Sequence, residues 1–298
     1  MREPISLVIV PVDASEAAQA AVRYASLLAR LMKRPLQLLH VMPLHPAELS
    51  DLPANRQAEG DHDRSRRQQQ AAQVFAAARQ ALDAELPEAP EEVLLEDPAF
   101  VRHPDHAILE HARQQGACLV VLGARQLSRV GRFVQGSISH EVVQRAHGPV
   151  TLVHAEAGLA DAAQLGHVLV PVDGSEHSRR AAALAGELAR SAEVPVELLF
   201  CRPEAHSADA ETPEAGRSAT IFQQAREALG EIPCGIEDVV SQGQRIEDAI
   251  VARAEHHASA SPTLVMGRRG LSKWQSSLMG SVSQRVIDRA PCPVTVVT

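Results

Sequence analysis

The chain has 298 residues, 45% of them hydrophobic, and a formal net charge of −8. That length suits about two compact domains of an ordinary soluble protein. Its acidic balance and scattered Lys and Arg argue against a direct nucleic-acid partner, which normally meets a basic stripe. No apolar stretch approaches the ~18 residues of a membrane helix. Met1-Arg2-Glu3-Pro4 leads straight into an apolar run without a signal segment, so a cytoplasmic protein with no membrane partner is expected. Cys118, Cys201, Cys234 and Cys292 lie far apart with no CxxC pair and read as buried free thiols of a reducing compartment.

In chain order, Ile5 to Pro11 is an apolar run of strand length, and Ser15 to Leu31 has apolar residues at helical spacing behind a Ser15 cap. Leu36 to Val41 is a second strand. Pro43 to Arg67 is polar and rich in Pro, His, Asp and Arg, and reads as a mobile loop before an Ala/Gln-rich helix from Gln68 to Leu86. A weak strand at Glu92 to Leu95, a helix from Asp105 to Gln115, a strong strand at Cys118 to Leu122, a helix from Ser137 and a strand at Val150 to Val153 follow. The order is βαβαβαβαβ. Ala155 to Gly166, rich in Ala and Gly, reads as a linker between domains 1–155 and 166–298.

The same order then repeats. Val170-Pro171-Val172-Asp173-Gly174-Ser175 restates Val10-Pro11-Val12-Asp13-Ala14-Ser15 at an offset of 160 residues. Strands are expected at Val168 to Val172, Val196 to Cys201, Ile236 to Val240, Leu264 to Met266 and Val294 to Val297. Apolar strands alternating with helices specify a parallel sheet covered on both faces. The fold class is therefore α/β, with two tandem doubly wound Rossmann-like domains. Their closing strands, Val150 to Val153 and Val294 to Val297, are edges that need a cover, and pairing them within the chain gives an intramolecular pseudo-dimer.

Ligands of such sheets bind beyond the carboxyl ends of the strands where strand order reverses, between strands one and four. In the second copy that crevice receives Asp173-Gly174-Ser175 from one strand and Gly267-x2-Gly270-x9-Gly280-Ser281 from the other. Glycines allow positive φ and let bare backbone approach an anion, and a helix opening at Gly280-Ser281 offers unpaired N–H groups. This describes a phosphate cradle, with Arg268, Arg269 and Lys273 in reach to balance charge. Asp173 doubles as a candidate cap of the helix that follows. The first copy reads Gly123-x2-Gln126-x9-Gly136-Ser137, so one glycine of its cradle is missing.

VPVDGSE, the Gly-x2-Gly-x9-Gly-Ser loop and the closing Ala290-Pro291-Cys292-Pro293-Val294 resemble the universal stress protein family, twice along the chain, as in its tandem members. The resemblance implies a five-stranded sheet of order 3-2-1-4-5 in each domain and, in one subgroup, ATP in the crevice. Another subgroup lacks the glycine loop and does not bind ATP. Carried onto this sequence, the resemblance puts Pro171, Val172 and Asp173 beside the adenosine. It has Met266, Gly267, Arg268, Gly270, Gly280, Ser281 and Val282 around ribose and phosphates, and Gly243 leaving room nearby. Asp13, Gly123, Gly136 and Ser137 are the weaker first-domain set; the Gly243 counterpart falls near Val101-Arg102. The implied ligand is ATP, or ADP or AMP, with magnesium, and the implied role is a stress-response sensor or regulator. An interaction scaffold with a vestigial cradle and a slow ATPase are the alternatives, and association of two chains as a homodimer is left open.

No Walker loop, Ser-Gly-Gly-x-Asp-Ser loop or Gly-x-Ser-x-Gly elbow occurs, and no residue is placed as a catalytic base, so an enzyme is not expected. His103, His106 and His111 around Pro104 read as solvated rather than as a metal site. His256-His257 reads as a cationic end to a helix.

Overall fold

A computed structural model of the chain describes residues 3–42, 60–83, 85–96, 103–124, 138–155, 164–202, 214–243, 245–270 and 279–298. Its first half runs β1 (Leu7–Pro11), α1 (Glu16–Met32), β2 (Leu36–Val41), α2 (Gly60–Gln80), β3 (Glu91–Leu95), α3 (Pro104–Gln115), β4 (Cys118–Ala124), α4 (Ile138–Arg145) and β5 (Val150–His154). The second half repeats it as β6 (His167–Pro171), α5 (Glu176–Ala192), β7 (Val196–Arg202), α6 (Glu214–Leu229), β8 (Ile236–Gln242), α7 (Ile246–His256), β9 (Pro262–Gly267), α8 (Ser281–Arg289) and β10 (Val294–Val297).

The helix after each first strand begins and ends by the same local chemistry. Ser15 Oγ accepts the Ala18 N–H and Ser175 Oγ the Ser178 N–H, while Lys33 and Glu193 close the helices in the left-handed region at φ 53° and 54°. Helix α2 departs from expectation. It starts at Gly60, inside the stretch read as a loop, and ends at Gln80 rather than Leu86. Its early turns carry polar residues in every position, so no apolar stripe betrays them.

All ten strands form one sheet in the order β3-β2-β1-β4-β5-β10-β9-β6-β7-β8. Each half therefore has the order 3-2-1-4-5, parallel throughout. The halves meet where β5 and β10 pair antiparallel, Thr151 opposite Thr295 with their hydroxyls 2.8 Å apart. That reversal sends the carboxyl ends of the two sets of strands to opposite edges of the sheet. The outermost strands, β3 and β8, are guarded by Glu91, Glu92, Glu237 and Asp238.

Alternation along the strands feeds two apolar layers. Val8 and Val10 face the layer under α1, α2, α5 and α6, whereas Ile9 faces the layer under α3, α4, α7 and α8. Both layers run across the junction. Helices α1 and α5 pack together there, and the buried Tyr24 hydroxyl donates to Thr263 Oγ1 of the other half at 2.8 Å. Among the described residues no helix is long and apolar enough to cross a membrane.

Cys118 and Cys292 are buried as expected, whereas Cys201 is half-buried and Cys234 exposed; none of the four forms a disulfide. His103 and His106 are exposed, yet His111 is half-buried with its ring nitrogen on Gln37 Oε1 at 2.5 Å, so it is not a solvated group. Linker residues 156–163 lie outside the described residues.

Candidate functional site

Strand β6 ends on Pro171 because the next residues turn sharply into α5. Gly174 takes φ +82°, and Asp173 Oδ1 accepts the Ser175 N–H at 2.9 Å, holding the turn while Ser175 caps the helix. Asp173 is thus not itself the cap. In the first half Asp13 makes the same bond to Ser15, although Ala14 stands where Gly174 does and its φ is not positive.

Beyond the ends of β6 and β9 opens a cavity of about 420 Å³. Pro171, Val172, Leu199, Phe200, Ile250 and Met266 give it an apolar wall. Asp173, Gly267, Gly270, Gly280 and Ser281 also line it, with Val282 and Ser283 from the first turn of α8. The cavity lies at the topological switch point of the second sheet, and its volume is in the range of small-ligand sites. Arg202, Arg217 and Arg269 also line it. Of these, sequence reading named only Arg269; Arg202 and Arg217 sit on β7 and α6, far from the motifs.

Arg268 corrects the expectation. Its guanidinium turns away from the cavity and donates to the Gln144 and Ala146 carbonyl oxygens, both at 3.0 Å, at the end of α4 in the other half. Burial there holds its pKa below the usual arginine value. Gly243 is also outside the cavity wall; φ +73° accounts for its glycine. Lys273, Gln126, Gly136, Ser137 and Val101-Arg102 lie outside the described residues.

The cradle glycines are present for space rather than for backbone freedom, since none of Gly267, Gly270 and Gly280 has a positive φ. A Cβ on Gly267 would press within 2.8 Å of the His177 backbone at the start of α5, and one on Gly123 within 2.3 Å of Ala17 at the start of α1. These two glycines let helix and strand approach in both halves. A Cβ on Gly270 would lie 2.5 Å from Asp173 Oδ2, across the mouth of the cavity. Gly280 has nothing nearer than 3.4 Å, so its missing side chain leaves open room at the start of α8. Ser283 Oγ fixes that start by donating to the Gly267 and Arg268 carbonyl oxygens.

Charge and burial in this region act together. His177, beside Gly267, is held below the ordinary histidine range first by burial and then by Arg180, Arg268 and Arg269, with Asp173 opposing them. Burial pushes the Cys201 thiol up to about 11, which leaves it protonated and unreactive in the cavity wall.

A doubly wound sheet duplicated in one chain, with a glycine-framed crevice at the switch point, defines the class. The universal stress protein family model matches residues 5–154 and again 165–298, and the chain belongs to that family as a tandem member. It is similar to universal stress proteins of Mycobacterium tuberculosis, 28% identical over 97% of this chain and 95% of the relative, and of Mycobacterium bovis, 26% identical over 97% and 96%. Among solved structures it is similar to a universal stress protein from Archaeoglobus fulgidus, with a TM-score of 0.65, 21% identity and 98% of each chain covered.

Proposed function

We propose that the second half binds one adenine nucleotide, ATP with its magnesium or the related ADP or AMP, and that the chain acts as a nucleotide-dependent regulator of the stress response. The observation that carries this reading is the cavity itself. Its lining combines apolar side chains suited to a base, Asp173, which suits ribose hydroxyls, and three arginines with the first turn of α8, which suit phosphates. The residues fit the group, because Gly280 leaves open room at the start of α8 and a bare Gly270 lets Asp173 keep its place at the cavity. Pro171, Val172 and Met266 would contact the base and Asp173 the sugar. Gly267, Gly270, Gly280, Ser281 and Val282 would surround the ribose and phosphates. We assign Arg268 to the contact between halves and Gly243 to its turn, and neither to the ligand.

The first half, with Gln126 in place of a glycine, is proposed to bind weakly or not at all, although Asp13, Gly123, Gly136 and Ser137 recur. We propose no catalytic residue. Calorimetric titration of nucleotide-stripped protein with ATP and magnesium is expected to give about one site per chain. Absence of binding at millimolar ATP would overturn the reading in favour of an interaction scaffold, and two equal sites would overturn the asymmetry.

A further inference from the structure

At the end of the second sheet away from the crevice, three chemistry-bearing side chains converge from distant parts of the sequence. His167 opens β6, Glu197 is the second residue of β7, and His257 caps the carboxyl end of α7. Glu197 is fully buried, and His167 is 8% exposed. The His257 Nε2 atom lies 2.8 Å from Glu197 Oε2. The two imidazoles stack nearly parallel, 13° apart with centroids at 3.9 Å. One ligand atom from each of the three residues lies within 4.8 Å of the others. Helix-dipole chemistry, the expectation for His257, does not explain this arrangement.

Two features distinguish the cluster from a plain ion pair. The Arg253 guanidinium already grips both Glu197 oxygens, at 2.6 Å each, so the carboxylate is oriented without the histidines. His167 Nε2 is buried and has no hydrogen-bond partner. A buried ring nitrogen without a partner is a destabilising feature unless something pairs with it.

We propose that His167, Glu197 and His257 bind one divalent transition-metal ion of the zinc class. Two imidazoles and a carboxylate are a zinc donor set that leaves a fourth position open. At ligand distances of about 2.0–2.2 Å, neighbouring donors of a tetrahedral ion stand about 3.3 Å apart. The His257–Glu197 hydrogen bond would open by roughly half an ångström, and, because a ring nitrogen's lone pair lies in the ring plane, one imidazole would turn out of the stack to meet the ion held by the other. Arg253 keeps its place as the outer partner that orients the carboxylate. Its own positive charge, which opposes the ion, is partly offset by nearby Glu237. His256 is exposed, with its ring 5.1 Å from that of His257.

The test uses the full chain, free of any polyhistidine tag and stripped with a chelator, titrated with Zn²⁺ by calorimetry and with Co²⁺ by visible absorption. About one ion per chain is expected, with cobalt bands of a four-coordinate nitrogen and oxygen site. His167→Asn and His257→Asn should each weaken binding at least tenfold while ATP binding is unchanged. Both leave the Glu197–Arg253 pair intact, and His257, at a helix end, tests the idea if His167→Asn does not fold. Zn²⁺ should raise the melting temperature of the parent and not of these variants. No binding at millimolar metal, undiminished binding in both variants, or near-ultraviolet thiolate bands with Co²⁺ would overturn the proposal.

Discussion

Replacing Gly270 by Gln puts the residue of the first half's loop into the second. The new Cβ would stand 2.5 Å from Asp173 Oδ2, almost an ångström inside ordinary contact. Asp173 can yield only by rotating its carboxylate, whose other oxygen holds the Ser175 N–H at 2.9 Å. The rest of the Gln side chain then extends over the mouth of the cavity. Losing one hydrogen bond to a charged group costs about 1.5–3 kcal/mol, so the ATP dissociation constant should rise about tenfold to a hundredfold. Gly270 is exposed and its φ is not positive, so the cost to the ligand-free protein is the strain on the Asp173–Ser175 bond, about 1 kcal/mol in urea unfolding. The converse change, Gln126→Gly, should move the calorimetric stoichiometry from one toward two. Unchanged ATP affinity in Gly270→Gln would refute the reasoning, since the side chain would then lie off the path of the nucleotide.

Gly123→Ala should destabilise the chain by about 3 kcal/mol, because its Cβ meets the Ala17 backbone at 2.3 Å and neither element can give. A midpoint shift in urea of that size is expected, and a cost below about 0.5 kcal/mol would show the strand and helix free to separate. Burial raises the Asp288 carboxyl to about 6 from its ordinary 3.8. The folded state therefore favours the neutral acid, and this contribution, full below about pH 4, is lost as pH rises through 6. Two pH units correspond to at most ~3 kcal/mol, and about 1 kcal/mol is expected after allowing for partial exposure. Asp288→Asn should be more stable than the parent by that amount at pH 8 and equal to it at pH 4. An equal gain at both values would assign the effect to packing instead.

The strands were legible because apolar runs of strand length leave little alternative when helices alternate with them, and each half has the order the family resemblance implied. Helix α2 was partly hidden, since its polar first turns have no face to bury. At the crevice the motif residues fell where the switch-point rule put them, and Gly270 was singled out by its absence from the first copy. Its reason was misread, because dihedral angles are not written in composition: crowding against Asp173, not positive φ, sets that position. Arg268 looked like a phosphate ligand from spacing alone, but its partners are carbonyls more than 120 residues away. His257 was likewise explained by its helix end until β7 brought Glu197 beside it. A chain position reports the element a side chain stands on; which way it turns depends on what tertiary register sets opposite.

The hydrogen bond from Tyr24 to Thr263 has a consequence for how the two halves can be used. By the offsets of the repeat, its mirror positions are Leu184 and Leu119, both buried hydrocarbon. A dimer of identical modules must make every contact twice, whereas here the polar pair occurs once and an apolar pair stands in its mirror place. Two copies of the first half would set Tyr24 against Leu119 and leave its buried hydroxyl unpaired, and two copies of the second would set Leu184 against Thr263, which would keep only its bond to the Pro293 carbonyl. The halves are therefore complementary rather than interchangeable at this contact, and the asymmetry favours the joined pair over a dimer of either half.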